Sequence, residues 1–318
     1  MDRINDPSAP NKTFVDADLT AGVPGTIVRA LFLMGLQEEL VAGLIEYAGL
    51  TPDPADLTQV RKAIQRVAPG APAVRGLRGS NNAVAPNTRM DFSADLVVLR
   101  NPGTGGCTSV VPPGTLTNDL GVSGAGGAAS AISASTWVHF YYVWGPSAGL
   151  STTASTAAPP TGPALPSGYT HWAYIGAVYF GSGGALAQVV MRGDWCSFAS
   201  PVTVVNGGSS TSWTAVSIAT VAPPNAGEVR GSISNIGLSS SGAGSYAMTL
   251  FVGSVSGVAQ VQGGLNGVGA ANAITGVSGP GFTAPNTGSL AYSCNVAAGS
   301  GPTVIIAING YSMPNGGG

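Results

Sequence analysis

The side chains able to do chemistry are few and far apart. His139 and His171 are the only histidines, and both sit in aromatic, strand-like sequence. No GxSxG elbow occurs in the chain, so a Ser/His/Asp triad has no frame here, and each histidine reads as a packed or hydrogen-bonded strand residue. Cys107, Cys196 and Cys294 are widely spaced, with no CxxC pairing and no nearby histidine. That spacing argues against zinc and against a disulfide framework, and it predicts three small buried side chains. Sugar hydrolysis usually needs two carboxylates flanking the bond. From Asn101 onward the acids are Asp119, Asp194 and Glu228, with no local pair. The glycine strings GTGG at Gly103 and GSGG at Gly181 lack the spacing that cradles phosphates. Arg192, Gly193 and Asp194 spell RGD beside Trp195, which reads as a turn at a strand end. These residues predict no catalytic, cofactor-binding or metal-binding site.

Polar recognition is better supplied than catalysis. Asn235, Tyr246, Gln260, Gln262, Asn266, Asn286 and Tyr292 provide the amides and aromatic rings that carbohydrate surfaces use, without marking one site. The net charge is −2 with no Lys/Arg cluster, so a nucleic-acid partner has no electrostatic footprint. The longest apolar stretch is interrupted by Arg29, Gln37, Glu38, Glu39 and Glu46, which predicts no membrane insertion. The opening MDRINDPSAPNKTF carries Asp2 and Asp6 and no apolar run, so a secretory signal is not expected.

Charge divides the chain that must position these groups. Residues 1–70 hold 15 of the 26 charged side chains, leaving eleven for the remaining 248 residues. The later surface must therefore be built from Ser, Thr, Asn, Gly and backbone. In the first segment Leu33, Leu36, Leu40, Leu44 and Tyr47 recur at helical steps, ended by Gly49. Leu57, Val60, Ile64 and Val67 repeat that spacing after Asp56, a plausible N-cap. Two short helices bury too little surface to stand alone, so this stripe (Leu33, Leu36, Leu40, Leu44, Leu57, Val60 and Ile64) is expected to form an attachment or oligomer interface.

The stretch 69–88 is rich in Pro, Gly and Asn and reads as a linker. Beyond it, nine runs have strand character: ADLVVLR, TWVHFYYVW, HWAYIGAVYF, ALAQVVMR, WTAVSIAT, EVRGSIS, YAMTLFV, LAYSCNV and TVIIAIN. Trp137 to Trp144 is apolar on both faces, which predicts cover on both, by a second sheet and by a neighbour. Ten of the 22 aromatics fall between Trp137 and Phe180 and mark a middle core. The expected class is mainly β: a helical attachment segment over 1–68, a middle β-domain over 89–200 and a distal β-sandwich over 201–318. Gly-rich distal loops, notably Gly263 to Gly281, are expected to make any host contact.

The N-terminal stretch resembles the particle-proximal end of bacteriophage tail-fibre proteins, through GVPGTIV and LMGLQEELVAGLIEYAGLTPDPADLTQVRKAI. ASTWVHFYYVWGPSAGLSTTAS and LPSGYTHWAYIGAVYF are similar to fibre β-modules. This likeness covers roughly residues 1–70 and 90–215. It implies an elongated homotrimeric virion appendage that contacts other phage proteins through its N-terminus and displays β-domains toward host polysaccharide. Two alternatives accompany it: an architectural neck, collar or baseplate component, and a glycan depolymerase poorly supplied with carboxylates.

Overall fold

The computed structural model describes residues 41–46, 51–53, 59, 60, 63, 74–239, 244–254, 259, 261–269, 273–277 and 281–314. The chain divides into two compact units, Met1–Pro69 and Gly70–Gly318.

In the first unit Val41–Glu46 forms a single π-helical turn, and Gln59, Val60 and Ala63 are helical. Leu33, Leu36, Leu40, Leu57 and Ile64 lie outside the described residues. Leu44 and Val60 are half-buried, whereas Ile45 and Ala63 are buried. A π turn carries an extra residue per turn, which shifts a three-and-four stripe by one position. Gln59 also holds the connecting turn: its Oε1 accepts from the Asp53 N–H at 2.8 Å and its Nε2 donates to Thr51 O at 2.7 Å.

The second unit is mainly β. It runs through β1 (Val74–Arg75), β2 (Arg78–Asn81), β3 (Arg89–Ser93), β4 (Leu96–Arg100), β5 (Cys107–Val110), β6 (Leu116–Ser123) and β7 (Gly127–Ala128). The aromatic stretch follows as β8 (Thr136–Gly145), β9 (Gly149–Ser155) and β10 (His171–Phe180). Next come β11 (Val189–Arg192), β12 (Trp195–Gly208), β13 (Thr214–Ser217), β14 (Glu228–Ser239) and β15 (Gly244–Gly253). The chain finishes with β16 (Val261–Gly269), β17 (Ala273–Val277), β18 (Gly281–Pro285), β19 (Ser289–Ala298) and β20 (Ser300–Ser312). All nine expected strands are present. Among the described residues no helix is long and apolar enough to cross a membrane.

One large sheet has the order β1-β4-β10-β8-β9-β7-β6-β3-β2-β11-β12-β20-β14-β17, with β5 on β4 and β18 on β14. A four-stranded sheet has the order β13-β19-β15-β16. Its Met248, Leu250, Val252, Leu290 and Cys294 share a core with Ile233, Val304, Ile306 and Ile308 of the large sheet. That core is continuous from Val74 to Met313. Two expected boundaries therefore change. Residues 74–81 of the expected linker form β1 and β2, because short alternating strands such as Arg-Gly-Ser-Asn gain their stability from neighbours rather than from propensity. β12 runs through the expected division at 200, so the β-region forms one compact unit.

β8 and β10 pair from Phe180↔Thr136 to His171↔Trp144. Val138, Phe140 and Tyr142 face the shared core, as the two-sided apolar pattern requires. The other face is covered by the chain after β9 rather than by a second sheet: Tyr141 Oη donates to Ala157 O, and a Cβ at Gly162 would lie 2.7 Å from the Trp172 ring. The RGD string is the β11–β12 hairpin turn. Gly193 has φ 59° and Arg192 pairs with Trp195, so glycine supplies the left-handed corner of a two-residue loop.

The last strand is also the most embedded. β20 lies between β12 and β14, and Tyr311 is fully buried with its Oη donating to Ala177 O on β10 at 2.8 Å. Tyr142 is equally buried, yet its Oη has no partner among the described residues. The two hydroxyls should answer deletion in opposite ways. Tyr311→Phe is expected to destabilise by roughly 1–2 kcal/mol, because it strands a buried carbonyl, whereas Tyr142→Phe should be neutral or stabilising by up to about 1 kcal/mol. Denaturant midpoints of the two variants check this, and equal losses would contradict it.

Candidate functional site

The residues first considered for catalysis do not converge. Asp119 on β6 accepts from the Gly121 backbone N–H at 2.9 Å and from Arg89 Nε at 2.6 Å, which together hold its carboxyl below the usual range. Asp194 occupies the hairpin turn, and Glu228 opens β14. Among the described residues no three His, Cys, Asp or Glu side chains gather as a metal site. Cys196 and Cys294 are buried, and burial pushes their thiols up to about 12 and about 11. Cys107 is only half-buried, contrary to expectation, because β5 is an outer strand paired on β4 alone.

Several amides and rings expected to face a glycan are structural. Asn286 Nδ2 donates to Pro223 O at 2.9 Å and Ala226 O at 3.2 Å, and Tyr292 is buried. Gln262 is exposed, while the side chains of Tyr246, Gln260 and Asn266 and most of the Gly263–Gly281 stretch lie outside the described residues.

A cleft lies elsewhere among the described residues. Its volume is about 640 Å³, and its walls come from the start of β8, the end of β10, the chain after β9 and the segment 219–225. The last of these is a compact turn. Val221 and Ala222 N–H groups donate to Ile218 O, Ala226 N–H donates to Pro223 O, and Ile218, Val221, Ala222 and Ala226 are buried beneath. Trp137 Nε1 donates to Ala219 O at 2.8 Å, which ties that turn to β8. Trp137 also meets Tyr179 edge-on at 5.3 Å, and both half-buried rings line the cleft.

At one side of the cleft a polar relay runs from the turn into the sheet. Asn225 Nδ2 donates to Tyr174 Oη at 3.0 Å, and Tyr174 Oη lies 3.1 Å from His139 Nδ1. The Tyr174 hydroxyl donates to His139 Nδ1 in the Nε2–H tautomer and accepts from it in the Nδ1–H tautomer. Burial lowers the His139 pKa to about 4, so the ring is neutral near pH 7, and burial raises that of Tyr174. Asn225 Oδ1 is buried with no partner, and no hydrogen bond reaches His139 Nε2 among the described residues. Ser135, at the cleft edge, has φ 61° and is the one non-glycine with positive φ among the described residues. Sequence reasoning placed His139 correctly in a packed strand but had no signal for its link to Asn225 through Tyr174. The lining contains no Asp, Glu, Lys or Arg.

A histidine whose folded pKa lies below its unfolded value takes up protons preferentially when unfolded, so stability is full above about pH 6.5 and falls as pH drops toward 4. His171 is shifted down by burial as well and adds in the same direction. Lowering pH from 7 to 5 should cost roughly 2 kcal/mol through His139, and His139→Gln should remove most of that loss. Urea midpoints at the two pH values read this, and an undiminished slope in the variant would contradict it. Ser135→Gly should stabilise by up to about 1 kcal/mol through relief of the left-handed strain, an increase visible in thermal unfolding. No protein-family model matches the chain, and no curated protein matches it.

Proposed function

We propose that the chain is a structural, non-enzymatic component of a bacteriophage particle, a tail fibre or related appendage. Its N-terminal unit attaches to other virion proteins, and its β-unit is presented toward host-surface glycan.

The observation that carries this reading is the coincidence of two divisions. The compact units part at Pro69 and Gly70, and residues 1–70 hold 15 of 26 charges. The first unit thus has the charge density of an ordinary docking surface and contains the segment resembling particle-proximal fibre ends. The second unit is charge-poor β-structure whose polar groups are Asn, Ser, Thr and backbone. Such a surface suits hydrogen bonding to uncharged hydroxyls and depends little on salt.

The half-buried Leu44 and Val60 support self-association of the N-terminal unit, in keeping with the trimer implied by the fibre likeness. Avidity across three copies would then offset weak individual contacts. Two outcomes test the reading. Native mass spectrometry of the full chain is expected to give a trimer, and a stable monomer would contradict that. Particles assembled with a chain lacking residues 1–66 should lose it; normal copy number would show that attachment resides elsewhere.

A further inference from the structure

We propose that the cleft formed by β8, β10 and the turn 219–225 binds one uncharged sugar residue, with His139, held through Tyr174 and Asn225, meeting a ligand hydroxyl and Trp137 and Tyr179 forming the apolar wall. The choice of a sugar among hydroxyl-bearing ligands rests on the appendage reading; the site itself does not.

Four observations meet at this place. The cleft volume of about 640 Å³ falls inside the range of small-molecule sites, about 300–1,000 Å³, and its make-up of aromatic wall plus a few fixed polar groups is theirs as well. Its polar groups are incompletely satisfied. Among the described residues no hydrogen bond reaches His139 Nε2, while the unpartnered Asn225 oxygen is sealed from solvent. A buried polar group without its partner is costly, and a ligand hydroxyl, which both donates and accepts, can satisfy His139 Nε2 in either tautomer. The relay through Tyr174 holds the histidine ring in place before any ligand arrives. Ser135 holds strained backbone at the edge of the same cleft, and strain of this kind gathers at binding sites.

The chemistry also defines what is refused. With no charged side chain in the lining, a carboxylate or ammonium group entering the cleft would lose its hydration without a counter-charge. Neutral hexoses, 6-deoxyhexoses and N-acetylhexosamines fit, whereas uronic and sialic acids do not. The Trp137 indole N–H is held in the ring plane by Ala219 O, which leaves ring carbons for the sugar face.

The test uses the purified full chain on immobilised oligosaccharides ending in those three neutral classes, with uronic- and sialic-acid-terminated ones beside them, and calorimetry for each hit. A neutral class should bind, with affinity steady between about 0.05 and 0.5 M salt. Asn225→Leu should weaken binding at least about tenfold by removing the relay that holds Tyr174 and His139. Thr156 is exposed at the cleft, so Thr156→Trp can fill the space without disturbing the core and should abolish binding while leaving thermal unfolding unchanged. No neutral hit, tighter binding of the acidic sugars, or wild-type affinity in both variants would overturn the proposal. Purified particles probed for the chain separate this from the appendage reading. A chain present on particles that binds no neutral sugar sinks the cleft alone, and a chain that binds through the cleft but is absent from particles sinks the appendage reading alone.

Discussion

The β-unit depends on its final strand reaching the middle of the sheet. β20 fills the place between β12 and β14, and the order of the large sheet breaks in two without it. Close approach is built in at Gly310, where a Cβ would stand 2.3 Å from Cys196 O on β12. Beyond the ladder, Tyr311 reaches β10 through Ala177 O, and the Ala177 N–H donates to Met313 Sδ at 3.2 Å. Tyr311 also meets Trp137 edge-on at 5.6 Å, so the residue that closes the sheet positions the aromatic wall of the cleft. Pairings this distant in sequence are slow to form, because loop-closure entropy is lost before the contacts compensate for it.

Charge poverty puts the burden of polar satisfaction on amides. Among the described residues the ion pairs are Arg78 with Asp95, largely exposed, and Arg89 with Asp119. Asn81 instead donates to Pro86 O and Ala187 O and accepts from the Val189 N–H, joining β2 to the approach to β11. Buried Asn118 donates to Gly127 O and to Thr152 Oγ1, bracing the parallel strands β6, β7 and β9. Neutral struts of this kind keep their strength in salt and across pH. The cleft follows the same rule, with a neutral histidine and an amide where many sites place ions.

The nine strongest strands were legible because β-branched and aromatic residues cluster in them. The two-faced burial of β8 was equally legible, since its apolar residues do not alternate. What escaped were strands whose reason lies in their neighbours. β2 reads Arg-Gly-Ser-Asn, a turn by composition, yet it is held between β3 and β11. β12 contains Pro201, which argues for a break; the proline sits in a register shift between Ser197 and Val202, where no β20 partner needs its missing N–H. The cleft was illegible for a related reason. Its two polar members, His139 and Asn225, are distant in sequence and meet only through Tyr174. The N-terminal stripe was read as α-helical, whereas Val41–Glu46 forms a π turn, a local choice that three-and-four spacing does not encode.

Under the proposed function the chain is part of a virus particle, its charged N-terminal unit docking and its β-unit facing the host. Averaged electron cryo-images of purified particles test that most directly. The account predicts density for the chain on the particle, with residues 1–69 against neighbouring virion proteins and the β-unit projecting into solvent with its cleft open. Particles that carry no copy of the chain, or a β-unit wholly enclosed by other virion proteins, would contradict it.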